Sequence, residues 1–153
     1  MKLSSSAFEN GKEIPSKYTC EGDDVSPPLS IEEVDPGTES LALVVDDPDA
    51  PGRVFDHWII WNIPADADSI PEGVPPDEIV ESLDGAIQGR NDFGAIGYRG
   101  PCPPGGPAHR YRFKLYALDT TLDLKPGSSK EELEAAVEGH VIGEVGLAGK
   151  YAR

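Results

Sequence analysis

The stretch that decides the fold reads LALVVDDPDAPGRVFDHWIIWNIP and covers residues 41–64. It holds two apolar runs, Leu41–Val45 and Trp58–Ile63, separated by a segment that begins with the turn-forming sequence Asp46-Asp47-Pro48. Short continuous apolar runs that are bounded by turn residues are typical of buried β-strands. We therefore expect two central strands joined by a polar, proline-containing loop.

A third strand is predicted over residues 110–117, where apolar and polar residues alternate. The alternation predicts one buried face and one largely solvated face, with Tyr111, Phe113, Leu115 and Ala117 opposite Arg110, Arg112, Lys114 and Tyr116. Ala86–Gln88 and Ile142–Leu147 show weaker strand patterns, and two glycines interrupt the second of these.

One helix is well marked near the end of the chain. Ser128 or Ser129 can cap it, and a glutamate three residues later completes a capping box. The apolar residues Leu133, Ala136 and Val137 follow at helical spacing, and Gly139 is expected to end the helix. Residues 76–80 suggest a shorter helical turn. Many short strands with few helices predict an antiparallel β-sandwich, which we assign to one domain over residues 1–153.

Composition and charge exclude several classes of function. The 153 residues carry 28 acidic and 13 basic side chains, a formal net charge of −15. This charge argues against binding to nucleic acid or to anionic membrane surfaces, both of which need clustered lysine and arginine. A salt-rich host cytoplasm and an ordinary acidic soluble protein both remain open as explanations.

Targeting signals are also missing from the sequence as it stands. No apolar stretch approaches the roughly 18 residues that a membrane-spanning helix needs. Residues 1–7 lack the apolar centre of a secretory signal. We expect a soluble, cytoplasmic protein without a stable membrane association.

Two proline-rich turns stand directly before histidines. Asp47-Pro48-Asp49-Ala50-Pro51 precedes His57, and Gly100-Pro101-Cys102-Pro103-Pro104 precedes His109. Prolines fix φ and make the residue before them extended, so such loops can hold a pocket open before a ligand arrives. Tight turns of this kind are also where cis-prolines occur, and we expect cis bonds in two or more of them.

Strand alternation predicts which side chains face this pocket. His57 would share a face with Ile59 and Trp61, and His109 would share one with Tyr111. Arg110 must then point away, and we expect it to pair with Asp49 or another carboxylate.

The residue types suit a small anion. Two imidazoles supply hydrogen-bond donors near neutral pH, and a carboxylate, for which we choose Asp47, would orient the rings and raise their pKa values. Tyr111 adds a phenolic donor, and Trp58 or Trp61 supplies an apolar wall. A purely structural role is open for each histidine, Asp47 could be only a turn residue, and His140 is expected to be a packing or surface residue.

These motifs resemble the phosphatidylethanolamine-binding protein family, specifically its compact bacterial and archaeal branch, which is often called Raf-kinase-inhibitor-like. Further similar segments are Ile14-Pro15, Tyr18-Thr19-Cys20, Ser26-Pro27-Pro28-Leu29 and the ending Gly139-His140-Val141 to Gly149-Lys150-Tyr151. The resemblance implies a large central sheet packed on a smaller one, with peripheral helices. It also implies a ligand site made of Asp47, His57, Cys102, His109 and Tyr111. The residues expected to shape that site are Pro48, Pro51, Trp58, Gly100, Pro101, Pro103 and Pro104.

The two cysteines, Cys20 and Cys102, each fall in one of these motifs. A disulfide between them would close a long loop, whereas a reducing cytosol would favour free thiols and a hyperthermophile would favour the disulfide. No cysteine or histidine spacing suggests a metal site, and no cofactor is expected.

Three classes of function remain. The resemblance favours a non-catalytic protein that binds a small anionic ligand such as phosphate, a carboxylate or a phospholipid head group, and it leaves a regulatory role open. An inhibitor of a protease or kinase, with an unknown protein target, is the second class. The third is an acid–base or metal-dependent hydrolase using the same His, His and Asp cluster. No nucleophile or phosphate-loop motif supports the enzyme, so we expect none, and we expect a monomer or homodimer.

Overall fold

The computed structural model describes residues 1–153, which form nine strands and one α-helix. In chain order these are β1 Lys2–Ser4, β2 Leu29–Glu32, β3 Ser40–Asp47, β4 Phe55–Pro64, β5 Ser69–Ile70, β6 Ile79–Val80, β7 Ala86–Gln88, β8 His109–Leu118, α1 Lys130–Val137 and β9 Val141–Tyr151. Six strands make one antiparallel sheet in the order β6-β7-β4-β3-β8-β9, and β1-β2-β5 make a smaller sheet. The predicted antiparallel sandwich, with a large and a small sheet, is confirmed.

The main core lies between the two sheets. Leu29 and Ile31 of the small sheet belong to the same buried cluster as Leu43, Trp58 and Phe113 of the large sheet. A second cluster lies on the opposite face of the large sheet, where α1 covers it; its buried members are Ala42, Val44, Ile59, Trp61, Leu118, Leu122 and Leu133. Both faces of β3 and β4 are therefore buried, which is why their sequences are continuously apolar.

The alternation predicted for β8 is present. Tyr111, Phe113, Leu115 and Ala117 are all buried in the main core. On the other face, Arg112 Nε and Lys114 Nζ each lie 2.8 Å from the fully buried carboxylate of Asp46. These two cations lower the pKa of Asp46 against the rise that burial alone would cause.

The helix begins with the predicted capping box. Ser129 accepts a hydrogen bond from the Glu132 backbone N–H, and the Glu132 side chain accepts one from the Ser129 backbone. Gly139 follows the helix in the left-handed region, at φ 81°. The helical turn predicted for residues 76–80 is wrong, because Ile79 and Val80 pair with β7 as an edge strand, and a single 3-10 turn, Glu81–Leu83, comes only afterwards.

A β-bulge changes the orientation of His57. Val45 pairs with Trp58 and Asp46 pairs with Asp56, so His57 is an extra residue in β4. An extra residue breaks the alternation of side chains at that point. The prediction that His57 shares a face with Ile59 and Trp61 is therefore wrong: His57 points to the side of the main core, whereas Ile59 and Trp61 lie under α1.

The last strand is longer than predicted. Ile142–Leu147 becomes part of an eleven-residue strand that pairs with β8 along almost its whole length. The glycines do not interrupt it. At Gly149, a β-carbon would overlap Ile14, so glycine is what lets the N-terminal segment pack against this strand.

Candidate functional site

A pocket of about 200 Å³ opens where the loop after β3 meets the loop before β8. Eleven residues line it: Asp47, Ala50, Pro51, Phe55, His57, Phe93, Cys102, Pro103, Pro104, His109 and Tyr111. The structure thus brings together all five residues predicted to contact a ligand, although they come from three separate parts of the chain.

Asp47, which is buried, and His109, which is half-buried, form a pair at the pocket. Asp47 ends β3 and His109 begins the neighbouring strand β8, which places Asp47 Oδ2 2.7 Å from His109 Nδ1. The other carboxylate oxygen accepts a hydrogen bond from the Asp49 backbone N–H at 2.8 Å, so the turn itself fixes the carboxylate. Nδ1 of His109 donates to this carboxylate, and Nε2 has no partner in the protein.

His57 is held by a backbone group instead of a carboxylate. Its Nδ1 lies 2.7 Å from the Arg99 carbonyl oxygen, which can only accept, so Nδ1 carries a proton and Nε2 is free. Only 4% of the residue is exposed. Burial lowers the pKa of His57, and this effect outweighs the Arg99 carbonyl and the charge of Asp47, both of which raise it. The expectation of a raised pKa is therefore wrong for His57, because its ring is desolvated.

Tyr111 presents an unpaired donor. The residue is 1% exposed, and its hydroxyl has no hydrogen-bond partner in the protein. Burial, followed by the charge of Asp47 and by a contact with its carboxylate that falls short of hydrogen-bond geometry, raises the pKa of the hydroxyl, which therefore keeps its proton at physiological pH. The rings of His57 and Tyr111 meet edge to face with centroids 5.3 Å apart. Since buried polar groups almost always have partners, this hydroxyl marks a place where a partner belongs.

Phenylalanines form the apolar wall that was predicted for a tryptophan. Phe55 and Phe93 both line the pocket, with ring centroids 4.8 Å apart. Phe93 lies in a loop and is 44% exposed, so no periodic pattern predicts its position. The one signal for this role in the sequence is that an aromatic residue stands between Asp92 and Gly94, in a polar loop where an aromatic side chain is not expected.

Neither tryptophan reaches the pocket, so the predicted role of Trp58 in shaping it is wrong. Trp58 is fully buried in the main core, and its indole N–H donates to Gln88 Oε1 at 2.7 Å. Trp61 packs on the opposite face, beneath α1. Both indole rings pack in the core, Trp58 on one side of the large sheet and Trp61 on the other.

A disulfide joins the pocket rim to the N-terminal segment. Cys102 lines the pocket and is bonded to Cys20, with a Cα–Cα distance of 5.4 Å. Of the two states that the sequence leaves open, the structure has the disulfide. The Cys20 backbone N–H also donates to the Pro101 carbonyl oxygen at 3.1 Å.

Only some of the other residues predicted to shape the pocket reach its surface. Pro51, Pro103 and Pro104 line the pocket, whereas Pro48, Gly100 and Pro101 do not. The Gly100 N–H donates to Asp24 Oδ1 at 2.7 Å, and a β-carbon at Gly100 would overlap the Tyr18 carbonyl oxygen. All peptide bonds are trans, so the expected cis-prolines are absent. A fixed φ, which a trans proline also has, is enough to stiffen these loops.

Arg110 points away from the pocket, as predicted. Its guanidinium donates to both carboxylate oxygens of Asp49, at 2.9 and 3.0 Å. His140 is exposed and pairs with Asp119, with 2.8 Å between Nδ1 and Oδ1. Neither residue contributes to the pocket.

No group of three or more His, Cys, Asp or Glu side chains is arranged to hold a metal ion. The only α-helix has eight residues, and no helix is long and apolar enough to cross a membrane.

Comparison with known proteins identifies the family. The family model for phosphatidylethanolamine-binding proteins matches residues 4–152. The chain belongs to the phosphatidylethanolamine-binding protein family. A UPF0098 protein of Methanothermobacter thermautotrophicus is 54% identical over 153 residues, covering 100% of this chain and 99% of that protein.

Two solved structures of this family have the same fold. A phosphatidylethanolamine-binding protein homolog from Chlamydia trachomatis is 40% identical, with a TM-score of 0.89 and coverage of 99% of this chain and 96% of the other. YbcL of E. coli, described as a member of the mammalian family, is 33% identical, with a TM-score of 0.92 and coverage of 99% and 98%. The predicted family resemblance is therefore confirmed over nearly the whole chain.

Proposed function

We propose that this family member is a non-catalytic binding protein whose pocket takes a small anion such as phosphate, a carboxylate or a phospholipid head group. The observation that carries the proposal is that Tyr111, whose hydroxyl is buried and unpaired, lines the same pocket as His57 and His109, whose Nε2 atoms have no partner in the protein. An anion oxygen would give this donor the partner that it lacks. A hydrogen bond to a charged group contributes about 1.5–3 kcal/mol.

Protonation decides what the two imidazoles can bind. Each ring donates its Nδ1 proton within the protein, so a neutral ring offers only an acceptor at Nε2. A ring that donates to an anion through Nε2 must therefore be protonated, whereas the Tyr111 hydroxyl can donate without a charge. His109 is the better candidate, because Asp47 Oδ2 lies 2.7 Å from its Nδ1, whereas burial opposes a charge on His57. Anion binding would then take up a proton, and affinity would fall as the pH rises.

The loops support binding without reorganisation. Prolines fix the backbone on both sides of the pocket, and the Cys20–Cys102 disulfide anchors its rim. A pocket that is ordered beforehand lowers the entropy cost of taking up a ligand. This is the behaviour expected of a binding protein.

Catalysis is the alternative function, since an Asp–His pair such as Asp47 and His109 can serve as a general base. A general base can activate either a side-chain nucleophile or a water molecule. The side chains are poor candidates, because the sulfur of Cys102 is held in a disulfide and burial raises the pKa of Tyr111, which makes its hydroxyl a poor nucleophile at neutral pH. We therefore propose a binding role, and water activated by His109 is the enzymatic alternative that a hydrolysis assay tests.

We further propose that the protein acts in the cytoplasm as a monomer or homodimer, without nucleic acid or stable membrane partners. The net charge of −15 supports the absence of nucleic acid and membrane partners, because it repels anionic polymers and surfaces. A disulfide in a cytoplasmic protein is consistent with a hyperthermophilic host. Inhibition of a protease or kinase would appear as a complex that survives gel filtration.

Calorimetry with phosphate tests the proposal. We expect phosphate to bind at pH 6, and we expect the heat of binding of sulfate, whose charge is constant in this range, to decline from pH 6 toward pH 8.5 together with proton uptake measured in buffers of different ionisation enthalpy. The His109→Asn variant keeps a donor toward Asp47 but cannot be protonated, so it should bind phosphate at least about tenfold more weakly with an unchanged melting temperature. Absence of phosphate binding by the wild-type protein, or hydrolysis of a phosphoester that depends on His109, would overturn the proposed function.

A further inference from the structure

The residues that line the pocket do not supply a net positive charge. Asp47 is a buried carboxylate, His57 resists protonation because it is desolvated, and Tyr111 stays neutral. A protonated His109 would do no more than balance Asp47, with which it is paired. In a chain of net charge −15, a doubly charged ligand therefore needs a cation from outside the lining.

Arg153 is placed to be that cation. In the β8–β9 ladder, His109 pairs with Tyr151, whose side chain belongs to the main core. Arg153 follows two residues later, just beyond the end of β9. Its Nε donates to the carbonyl oxygen of Pro103, a lining residue, at 2.6 Å. Its own carbonyl accepts a hydrogen bond from the Gly106 N–H at 3.4 Å.

The guanidinium of Arg153 has no carboxylate partner. Arg53 and Arg110, which also lie near this end of the molecule, are each paired with an aspartate at 2.6 and 2.9 Å. Arg153 uses only Nε to hold the rim loop, so its two terminal nitrogens remain unpaired. Its charge acts on the pocket: burial and Asp47 raise the pKa of Tyr111, and Arg153 is the group that opposes this rise.

We propose that Arg153 is a specificity-determining residue that makes the pocket prefer a phosphate carrying two negative charges, as the free ion or a monoester, over a singly charged anion. This inference rests on the proposed function. Coulomb energy is proportional to the ligand charge, so a single cation at a fixed position favours a dianion twice as strongly, in free energy, as a monoanion. The hydrogen bond to Pro103 keeps that position fixed.

Methyl phosphate and dimethyl phosphate test the proposal, because both are tetrahedral but the first is mostly a dianion at pH 7 and the second is a monoanion. We expect the wild-type protein to bind methyl phosphate more tightly. In Arg153→Gln, the loss of affinity for methyl phosphate should be about the square of that for dimethyl phosphate, for example about tenfold against about threefold. Arg153→Lys keeps the charge and should keep most of the preference. Inorganic phosphate in a parallel titration distinguishes the free ion from an ester as the preferred source.

Lys150→Gln is the matched control. It removes one positive charge three residues before Arg153, at the position that pairs with Arg110 on the face of the sheet pointing away from the pocket, and Lys150 has no ion pair to lose. Its binding constants should equal those of the wild type. A loosened loop would reduce both affinities by the same factor, so equal losses in Arg153→Gln, or no loss, would overturn the role of Arg153 and leave the proposed function standing. If the wild-type protein binds none of the three phosphates, the proposed function itself fails.

Discussion

One residue at the pocket, Tyr111, has an environment that lowers the stability of the folded protein when no ligand is bound. The Tyr111 hydroxyl is buried without a partner, whereas the hydroxyl of another buried tyrosine, Tyr98, donates to the Tyr18 carbonyl oxygen at 2.7 Å. Leaving a buried polar group unsatisfied costs about 1–3 kcal/mol. This contrast between the two tyrosines supports the proposed role of Tyr111 in binding and a role of Tyr98 in stability.

Replacing Tyr111 with Phe tests this contrast. Tyr111→Phe should weaken phosphate binding by about tenfold or more, while the free energy of unfolding stays the same or rises, because an unpaired hydroxyl is removed. Tyr98→Phe is the control: it should lower stability by about 1 kcal/mol and leave affinity unchanged. Urea denaturation and calorimetry on the same preparations give both quantities. A large loss of stability in Tyr111→Phe would show that its hydroxyl is a structural group.

His57 should make stability depend on pH. Burial lowers its pKa in the folded protein below the ordinary value of 6.5, so the unfolded chain takes up this proton first as the pH falls. Stability from this group is therefore complete above pH 6.5 and is lost as the pH falls below it. The non-titrating variant His57→Gln keeps a donor for the Arg99 carbonyl. We expect the stability advantage of the wild type over this variant to shrink between pH 7.5 and pH 5 in urea denaturation; a constant difference would contradict the lowered pKa.

At the level of elements, the pocket depends on irregularities in the sheet and its loops. The bulge in β4 turns His57 toward Tyr111, and the loop before β8 carries Cys102 and His109 to the same place. Three hydrogen bonds hold the start of this loop on the N-terminal segment, from the Tyr98 hydroxyl, the Cys20 N–H and the Gly100 N–H. The rim is therefore positioned by close backbone contact.

Gly100→Ala should disrupt that contact. The new β-carbon would overlap the Tyr18 carbonyl oxygen, which is backbone and cannot move aside as a side chain can. We expect a loss of roughly 1–3 kcal/mol of stability and weaker phosphate binding as the rim shifts. Gly105→Ala, five residues along the same loop, is the control, because its β-carbon would meet nothing closer than 3.9 Å. Equal melting temperatures for the two variants would show that the approach at Gly100 is not restrictive.

For the molecule as a whole, the disulfide is the one covalent link between distant segments. Cys20 and Cys102 are separated by 82 residues in sequence, and they join the N-terminal segment to the pocket rim. Closing a loop of this length restricts the unfolded chain and stabilises the folded state by about 4 kcal/mol in the chain-entropy account. The same segments also share hydrogen bonds, so the fold should survive without the link.

Reduction of the disulfide tests this estimate. In urea, dithiothreitol should shift the unfolding midpoint of the wild type downward, corresponding to a loss of about 4 kcal/mol. The double variant Cys20→Ser, Cys102→Ser should match the reduced wild type and should not respond to dithiothreitol. If the oxidised and reduced proteins unfold at the same urea concentration, the bond contributes nothing to stability.

Local sequence determines much of this protein. The apolar runs of β3 and β4, the alternation in β8 and the capping box of α1 are each set by neighbouring residues, so the sandwich and its helix are predictable. These features depend on backbone preference and burial, which short segments already express. The pocket is predicted in another way: the family resemblance implies Asp47, His57, Cys102, His109 and Tyr111, and all five line it.

Only the tertiary structure decides the rest. The bulge at His57 arises from pairing with β3, Phe93 reaches the pocket from an unpatterned loop, and Arg153 meets Pro103 across 50 residues of chain. Long-range contacts also place Trp58 in the core and not at the pocket, because its hydrogen-bond partner, Gln88, lies on another strand. The whole packed molecule sets strand register, desolvation and long-range contacts. Burial lowers the pKa of His57 and leaves the Tyr111 hydroxyl unpaired only when every surrounding segment is in place.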